Sequence, residues 1–274
     1  MNYIERLGFE HDAPAAVVFD LDGTLWLSGV PLPGAVEFVD MVRGSGAVVM
    51  AATNISITTP EQVRQQLVQC GLLLEGENVV TAGAAVANAL VDDGVRTAAV
   101  LGGQGLHEAV LARGITVKRV DDIDVHQWSD LDPANALVLG GWPDATLRDI
   151  ESVGRLAAAG VPLYVTSLEA GFPSGNGWQA GAGMMIAAAR ALHQFEVIVC
   201  GKPSKRYAAA VRALLDDRSP AGSILVIGDS QLADIGLAHE LGARSIWLSR
   251  GQAANPDFPA PTHTVVSLAE LVNK

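Results

Sequence analysis

The sequence predicts an α/β protein built on parallel sheets, and three observations carry that prediction. Short apolar runs read as strands buried on both faces. Longer Ala- and Leu-rich stretches of helical length alternate with them, as in successive βαβ units. The third observation is scale. With 274 residues, 49% of them hydrophobic and 18% charged, the chain can bury a true core without disulfides and has no composition of disorder.

Taken in order, residues 15–21 and 47–53 read as the first two strands, and residues 223–229, 245–249 and 263–266 complete a first set. Residues 97–101, 136–139 and 162–165 form a second set, so two sheets are expected. A helix start is visible at Thr59 as N-cap, with Pro60 at the first helical position and Gln62 as a capping-box partner; Gly71 stops it. The Pro-rich stretch 255–261 is a surface loop before the last strand.

Thirty acidic against 18 basic residues give a formal charge of −12. That field repels polyanions, which argues against nucleic acid and anionic membrane surfaces as partners. A small phosphorylated metabolite stays open, because a local donor cluster or a bound cation suffices to hold one. Cys70 and Cys200 have neither the number nor the spacing of a disulfide framework or zinc site. With no basic-then-apolar leader over residues 1–6 and no run of ~18 apolar residues, a cytoplasmic protein is expected.

The chemistry-bearing residues sit at strand ends. The first strand delivers Asp20-Leu21-Asp22-Gly23-Thr24, two carboxylates at the edge where α/β sheets place their ligands. A solvated turn is the plain alternative, yet two like charges held there call for a neutralising cation. The second strand ends at Thr53-Asn54, a hydroxyl and backbone N–H groups fit to cradle a phosphate. Lys202, in Gly201-Lys202-Pro203-Ser204 at a helix start, either neutralises a phosphoryl oxygen or is a solvated lysine. The strand ending Gly228-Asp229, with Asp234 five residues on, restores the carboxylate count of a magnesium site.

In this order, Asp20-x-Asp22-Gly23-Thr24, Thr53-Asn54, Lys202 and Gly228-Asp229 with Asp234 resemble the four motifs of the haloacid dehalogenase superfamily. The resemblance implies a Rossmann-like core, an Asp nucleophile that becomes an aspartyl-phosphate, and Mg²⁺ as cofactor. Only ~27 residues separate Trp26 from Thr53, too few for a domain, whereas ~147 lie between Asn54 and Lys202. A core of residues 1–79 and 199–274 with an inserted α/β cap at 80–198 is therefore expected. Together with Pro33-Gly34-Ala35 and the glycines of 171–183, this resembles the NagD-like subfamily with its large type C2a cap. That likeness also implies a homodimer formed through the cap. Ile55 stands where these relatives usually carry a second Asn, and Ser167-Leu168-Glu169 replaces their common Asn-x-Asp.

The resemblance implies the following roles. Asp20 attacks phosphorus; Asp22 protonates the leaving alcohol and then activates water. Asp20, the Asp22 carbonyl and Asp229 hold the metal, with Asp234 supporting it less directly. Thr53, Asn54 and Lys202 bind phosphate. Glu169 and Trp26 are candidates for substrate specificity, each with a packing or capping alternative. The implied activity is hydrolysis of a nucleotide, sugar phosphate, phosphoglycolate or glycerol phosphate. A phosphotransferase using the same intermediate is the alternative; a retired, non-catalytic sensor should have lost one of Asp20, Asp22, Lys202 or Asp229, and none is missing.

Other features read as structure. Trp178 either lines a crevice or packs, and Cys200 reads as a buried, inert thiol. Gly102-Gly103-Gln104-Gly105 misses the dinucleotide-binding spacing and reads as a turn. Arg113, Lys118 and Arg119 read either as a solvated basic face or as a cluster that attracts an anionic substrate, and the six histidines, including His11 and His126, show no metal-ligand spacing.

Overall fold

The computed structural model describes residues 13–73, 78–123, 128, 132, 134–174, 177–215 and 219–272. The expectations for residues 1–6, His11 and His126 lie outside these, as does the side chain of Trp178. The chain divides into two compact units, one of Met1–Thr53, Glu61–Val80 and Lys202–Lys274, the other of Asn54–Pro60 and Thr81–Gly201. The segment Asn54–Pro60 differs from the expected boundary. It groups with the second unit because Ala82 N–H donates to the Ile55 carbonyl and Gly105 N–H to the Ile57 carbonyl, at 3.2 and 3.0 Å.

The first unit is built on a six-stranded sheet. Its order is His263–Val265, Arg244–Leu248, Ile224–Gly228, Ala16–Phe19, Val48–Thr53 and Val79–Thr81. The first five pair in parallel. Ala16–Phe19 lies centrally and every residue in it is buried, as its unbroken apolar run requires of a strand covered on both faces. The helix Ala35–Gly44 buries Ala35, Phe38, Val39 and Val42, the spacing of one helical face, and Phe38 meets Phe19 edge-on at 6.0 Å between ring centres. Trp26, Leu25 and Leu67 complete this core.

The second unit carries a five-stranded parallel sheet, ordered Ile198–Val199, Leu163–Val165, Asn135–Leu139, Thr97–Leu101 and Thr116–Lys118. Its three inner strands are the three expected. The two outer ones are short and only partly buried, so their apolar signal is weak. An antiparallel hairpin, Gly171–Ser174 with Gly177–Ala180, occupies most of the glycine-bearing stretch 171–183. The helix Leu147–Ala158 is set by a full capping box, Thr146 with Asp149.

Helix Pro60–Gln69 begins at the expected proline, and Gly71 beyond its end has φ +75°, open to glycine at no steric cost. Gly102 to Gly105 form the turn that opens the helix Gln104–Leu111. Cys200 is buried in the second unit's core and both cysteines are free thiols. Arg113, Lys118 and Arg119 are exposed. Among the described residues, no helix is long and apolar enough to cross a membrane.

Candidate active site

Three neighbouring strands of the first unit end at one edge of the sheet, and each delivers a polar group there. Phe19 pairs with Ile227 and Ala51, so Asp20, Gly228 and Ala52 stand at one level. Asp20 N–H extends the ladder by donating to the Ile227 carbonyl at 2.9 Å. Asp20, which is 8% exposed, therefore leaves the sheet from a fixed backbone. Its two carboxylate oxygens are separately held: Lys202 Nζ donates to Oδ1 at 2.7 Å and Thr24 Oγ1 to Oδ2 at 3.1 Å.

Lys202 is buried and spends its ammonium on three acceptors. Besides Asp20 these are the Ala52 carbonyl at 2.9 Å and Asp234 Oδ1 at 2.6 Å. Burial works against its charge, but the carboxylates of Asp20 and Asp234 outweigh that and hold the ammonium well above its ordinary pKa. Ser204 positions the following helix, Lys205–Leu214, by accepting from Tyr207 N–H at 3.1 Å. Tyr207, fully buried, points its hydroxyl at the Thr53 and Val80 carbonyls, 3.0 and 2.8 Å away, and so ties the end of Val48–Thr53 to this helix.

Asp234 lies in a single π-helical turn, Gln231–Ile235, and is 1% exposed. Its second oxygen accepts from Ser230 N–H at 2.9 Å. Burial, then the charge of Asp20, pushes its carboxyl upward, and Lys202 opposes both. Gly228 is required beneath it, since a Cβ there would stand 2.1 Å from Asp234 Oδ2. Asp229 has different partners. Its carbonyl accepts from the Trp247 indole at 2.9 Å, and its carboxylate pairs with Arg250 at 3.3 Å.

The carboxyl of Asp22 is also pushed upward. Burial first, and the charge of Asp20 second, raise it from 3.8 to about 6, against hydrogen bonds from the Ser28 backbone and the Trp26 side chain. Of the two readings of Trp26, specificity or packing, its burial accords with packing. At 2% exposure it is packed in the first unit's core and supports Asp22 from behind. Gly23 follows with φ +91°, and a Cβ on it would meet Asp229 Oδ2 at 2.2 Å, so the turn and Asp229 can approach only because that position is glycine.

Oxygens of Asp20, Asp229 and Asp234 all lie within 4.8 Å of one another. An all-carboxylate set of hard oxygens fits a divalent cation such as Mg²⁺ better than zinc, which favours nitrogen and sulfur. Asp234 is the most buried of the three and accepts from Lys202 and Ser230, while Asp20 is engaged by Lys202 and Thr24 and Asp229 by Arg250. No group of metal-binding side chains among the described residues contains a histidine.

The chain is similar to known proteins over most of its length. One family model, of haloacid dehalogenase-like hydrolases, matches residues 17–116, and a second, of HAD-like hydrolases, matches residues 199–271. The chain belongs to the haloacid dehalogenase superfamily. Each HAD motif thus falls within or beside a matched segment. Over 265 residues the chain is 23% identical to an acid sugar phosphatase of Staphylococcus saprophyticus, covering 94% of this chain and 97% of that one. The 4-nitrophenylphosphatase of Thermotoga maritima superposes with a TM-score of 0.79 at 21% identity, covering 100% of this chain and 99% of the other. NagD of E. coli K-12 does so with a TM-score of 0.77 at 20% identity, covering 94% and 98%. These likenesses show a NagD-like HAD fold.

The remaining expected residues fall as follows. Thr53 is buried at the end of its strand, 2% exposed. Asn54 belongs to the second unit, where its side-chain amide donates to Glu169 Oε2 at 3.0 Å. Glu169 also accepts from Ser167 Oγ at 3.2 Å and returns its own N–H to that hydroxyl at 2.9 Å. Tyr207 and Arg250 were missed. A tyrosine three residues after a serine N-cap has no distinctive sequence signal, and Arg250, just past a strand end, is one arginine among several.

Proposed function

We propose that this HAD hydrolase is a phosphatase that hydrolyses a small-molecule phosphate monoester through an aspartyl-phosphate on Asp20. The observation that carries the reading is the state of Asp20, a buried carboxylate clamped by Lys202 and Thr24 beside a second carboxyl, Asp22, pushed up to about 6. The names of the relatives, an acid sugar phosphatase and a 4-nitrophenylphosphatase, support it and favour a sugar phosphate or similar small ester.

In the first half-reaction an Asp20 oxygen attacks phosphorus in line, the bond from phosphorus to the leaving oxygen breaks, and Asp22 gives its proton to the departing alkoxide. The raised carboxyl of Asp22, about 6, keeps that proton on a far larger share of molecules in mildly acidic to neutral solution than an ordinary aspartate does. In the second, the Asp22 carboxylate takes a proton from water as the water attacks phosphorus. The Asp20–phosphorus bond breaks, releasing phosphate and restoring both carboxyls. Lys202 holds Asp20 in place and offsets negative charge, while Thr53 and neighbouring backbone N–H groups orient the phosphoryl oxygens. Mg²⁺, held by Asp20, Asp229 and the Asp22 carbonyl, would supply electrostatic stabilisation of the phosphoryl charge when bound.

The test is a screen of phosphorylated metabolites with Mg²⁺ or with EDTA, using the parent and Asp20→Asn. The parent should release phosphate from small esters only with metal, and acid quenching should trap phosphoryl label on it. Asp20→Asn should fold, yet neither turn over nor take up label. Turnover by Asp20→Asn would sink the aspartyl-phosphate reading. Label passing to added alcohols in preference to water would favour the transferase.

A further inference from the structure

Two cations divide the three converging carboxylates of the first unit. Lys202 serves Asp20 and Asp234, and its side chain is only 3% exposed. Arg250 serves Asp229, 3.3 Å away, and its side chain is 40% exposed. The same guanidinium nitrogen donates to the Gly23 carbonyl, so one side chain ties the turn after Asp20 to the carboxylate after Ile224–Gly228. The three groups are in tight contact, since a Cβ on Gly23 would meet Arg250 Nη2 at 2.6 Å and Asp229 Oδ2 at 2.2 Å. Arg250 achieves this from a left-handed backbone, φ +49°, that side-chain-bearing residues adopt only where their surroundings hold them there.

The geometry points to Arg250 as a positioning residue that competes with the divalent cation for Asp229 and thereby sets the cation affinity of the site. This rests on the reading that Asp20 and Asp229 hold that cation. A guanidinium at 3.3 Å already supplies Asp229 with a positive partner. A divalent ion drawn to Asp20 and Asp229 must either displace Arg250 from the carboxylate or bind beside a like charge, and both lower its affinity. Lys202 cannot yield in this way, because it is sealed among three acceptors. Arg250 can, because its half-open side chain has water to swing into. Before the cation arrives, Arg250 keeps the two ligand-bearing turns together; afterwards its release offsets part of the binding energy.

The experiment is calorimetric titration of Mg²⁺ into the chelator-stripped full chain, comparing the parent with Arg250→Gln and Arg250→Lys. Arg250→Gln should bind Mg²⁺ roughly three- to tenfold more tightly, whereas Arg250→Lys, which keeps the charge, should stay within about twofold of the parent. The gap between parent and Arg250→Gln should narrow as KCl is raised from about 0.05 to 0.5 M, which a purely structural role would not produce. Arg250→Met supplies a second neutral variant if Arg250→Gln fails to fold. A neutral variant that binds Mg²⁺ no more tightly than the parent overturns the role of Arg250 alone. A parent that binds no Mg²⁺ overturns the cation reading of Asp20 and Asp229 and this inference with it.

Discussion

Lys202 Nζ lies 2.7 Å from Asp20 Oδ1, although 182 residues separate them in the chain. The pair is buried and is joined by a second pair, Lys202 with Asp234 at 2.6 Å. Removing the one ammonium would strand two carboxylates in a low-dielectric site. Lys202→Met should therefore cost about 3–5 kcal/mol of stability as well as abolish turnover. Denaturant unfolding of the variant checks the first part, and a loss below about 1 kcal/mol would mean that the carboxylates find other relief.

Gly228→Ala tests the floor of the same site. Its Cβ would stand 2.1 Å from Asp234 Oδ2, and the carboxylate would have to leave Lys202. A stability loss of about 1–3 kcal/mol is expected, with turnover reduced on the order of a hundredfold by the displaced groups. Thermal melting and a kinetic assay measure the two losses independently.

Asp22 gives a pH dependence that can be read without metal. Its carboxyl is raised by burial, and next by Asp20, from 3.8 to about 6, so ionising it costs the folded state more than the unfolded one. The stabilising contribution is complete below about pH 4, falls as pH rises toward 6, and is gone above it. Asp22→Asn, which has no charge to bury, should be more stable than the parent above about pH 6 by on the order of 2–3 kcal/mol, with the advantage vanishing near pH 4. Unfolding of both proteins in EDTA across that range is the measurement. A difference that does not change with pH would place the elevated carboxyl elsewhere.

Glu169 accepts from Asn54 and Ser167, so its carboxylate organises its own loop. Glu169→Ala should lower the melting temperature through a loss of about 1–2 kcal/mol. It should also change the ranking of phosphate esters more than the hydrolysis of a minimal ester, if this loop contributes to recognition. An unchanged ranking in the folded variant would leave Glu169 with the loop role alone.

The strand ends were legible because chemistry and topology coincide there. An unbroken apolar run that stops at a carboxylate, as at Asp20 and Asp229, marks both a buried strand and its ligand-bearing edge. Lys202 was legible only through its order among the other motifs. Trp26 was not, since an indole that supports Asp22 from within the core has the same sequence appearance as one that only packs. Asn54 follows Thr53 directly, and nothing local to either says that the Asn54 amide is committed to a residue 115 positions away. Thr116–Lys118 and Ile198–Val199 were missed for the opposite reason: at the sheet margins, too little of each strand is buried to leave a pattern.

Ala16–Phe19 stands in the middle of its sheet, between Val48–Thr53 and Ile224–Gly228, so its two neighbours leave the ribosome far apart in time. At ordinary synthesis rates the roughly 200 residues that precede the later partner take about 10–40 s to make. Throughout that interval one of the most apolar segments of the nascent chain has an open flank of unpaired N–H and C=O groups, a template for pairing with another molecule. The insertion that separates the core segments thus leaves that flank open through most of synthesis, and shielding by chaperones that bind nascent chains is the expected protection. Slowing translation between residues 54 and 201 should lengthen its dependence on them.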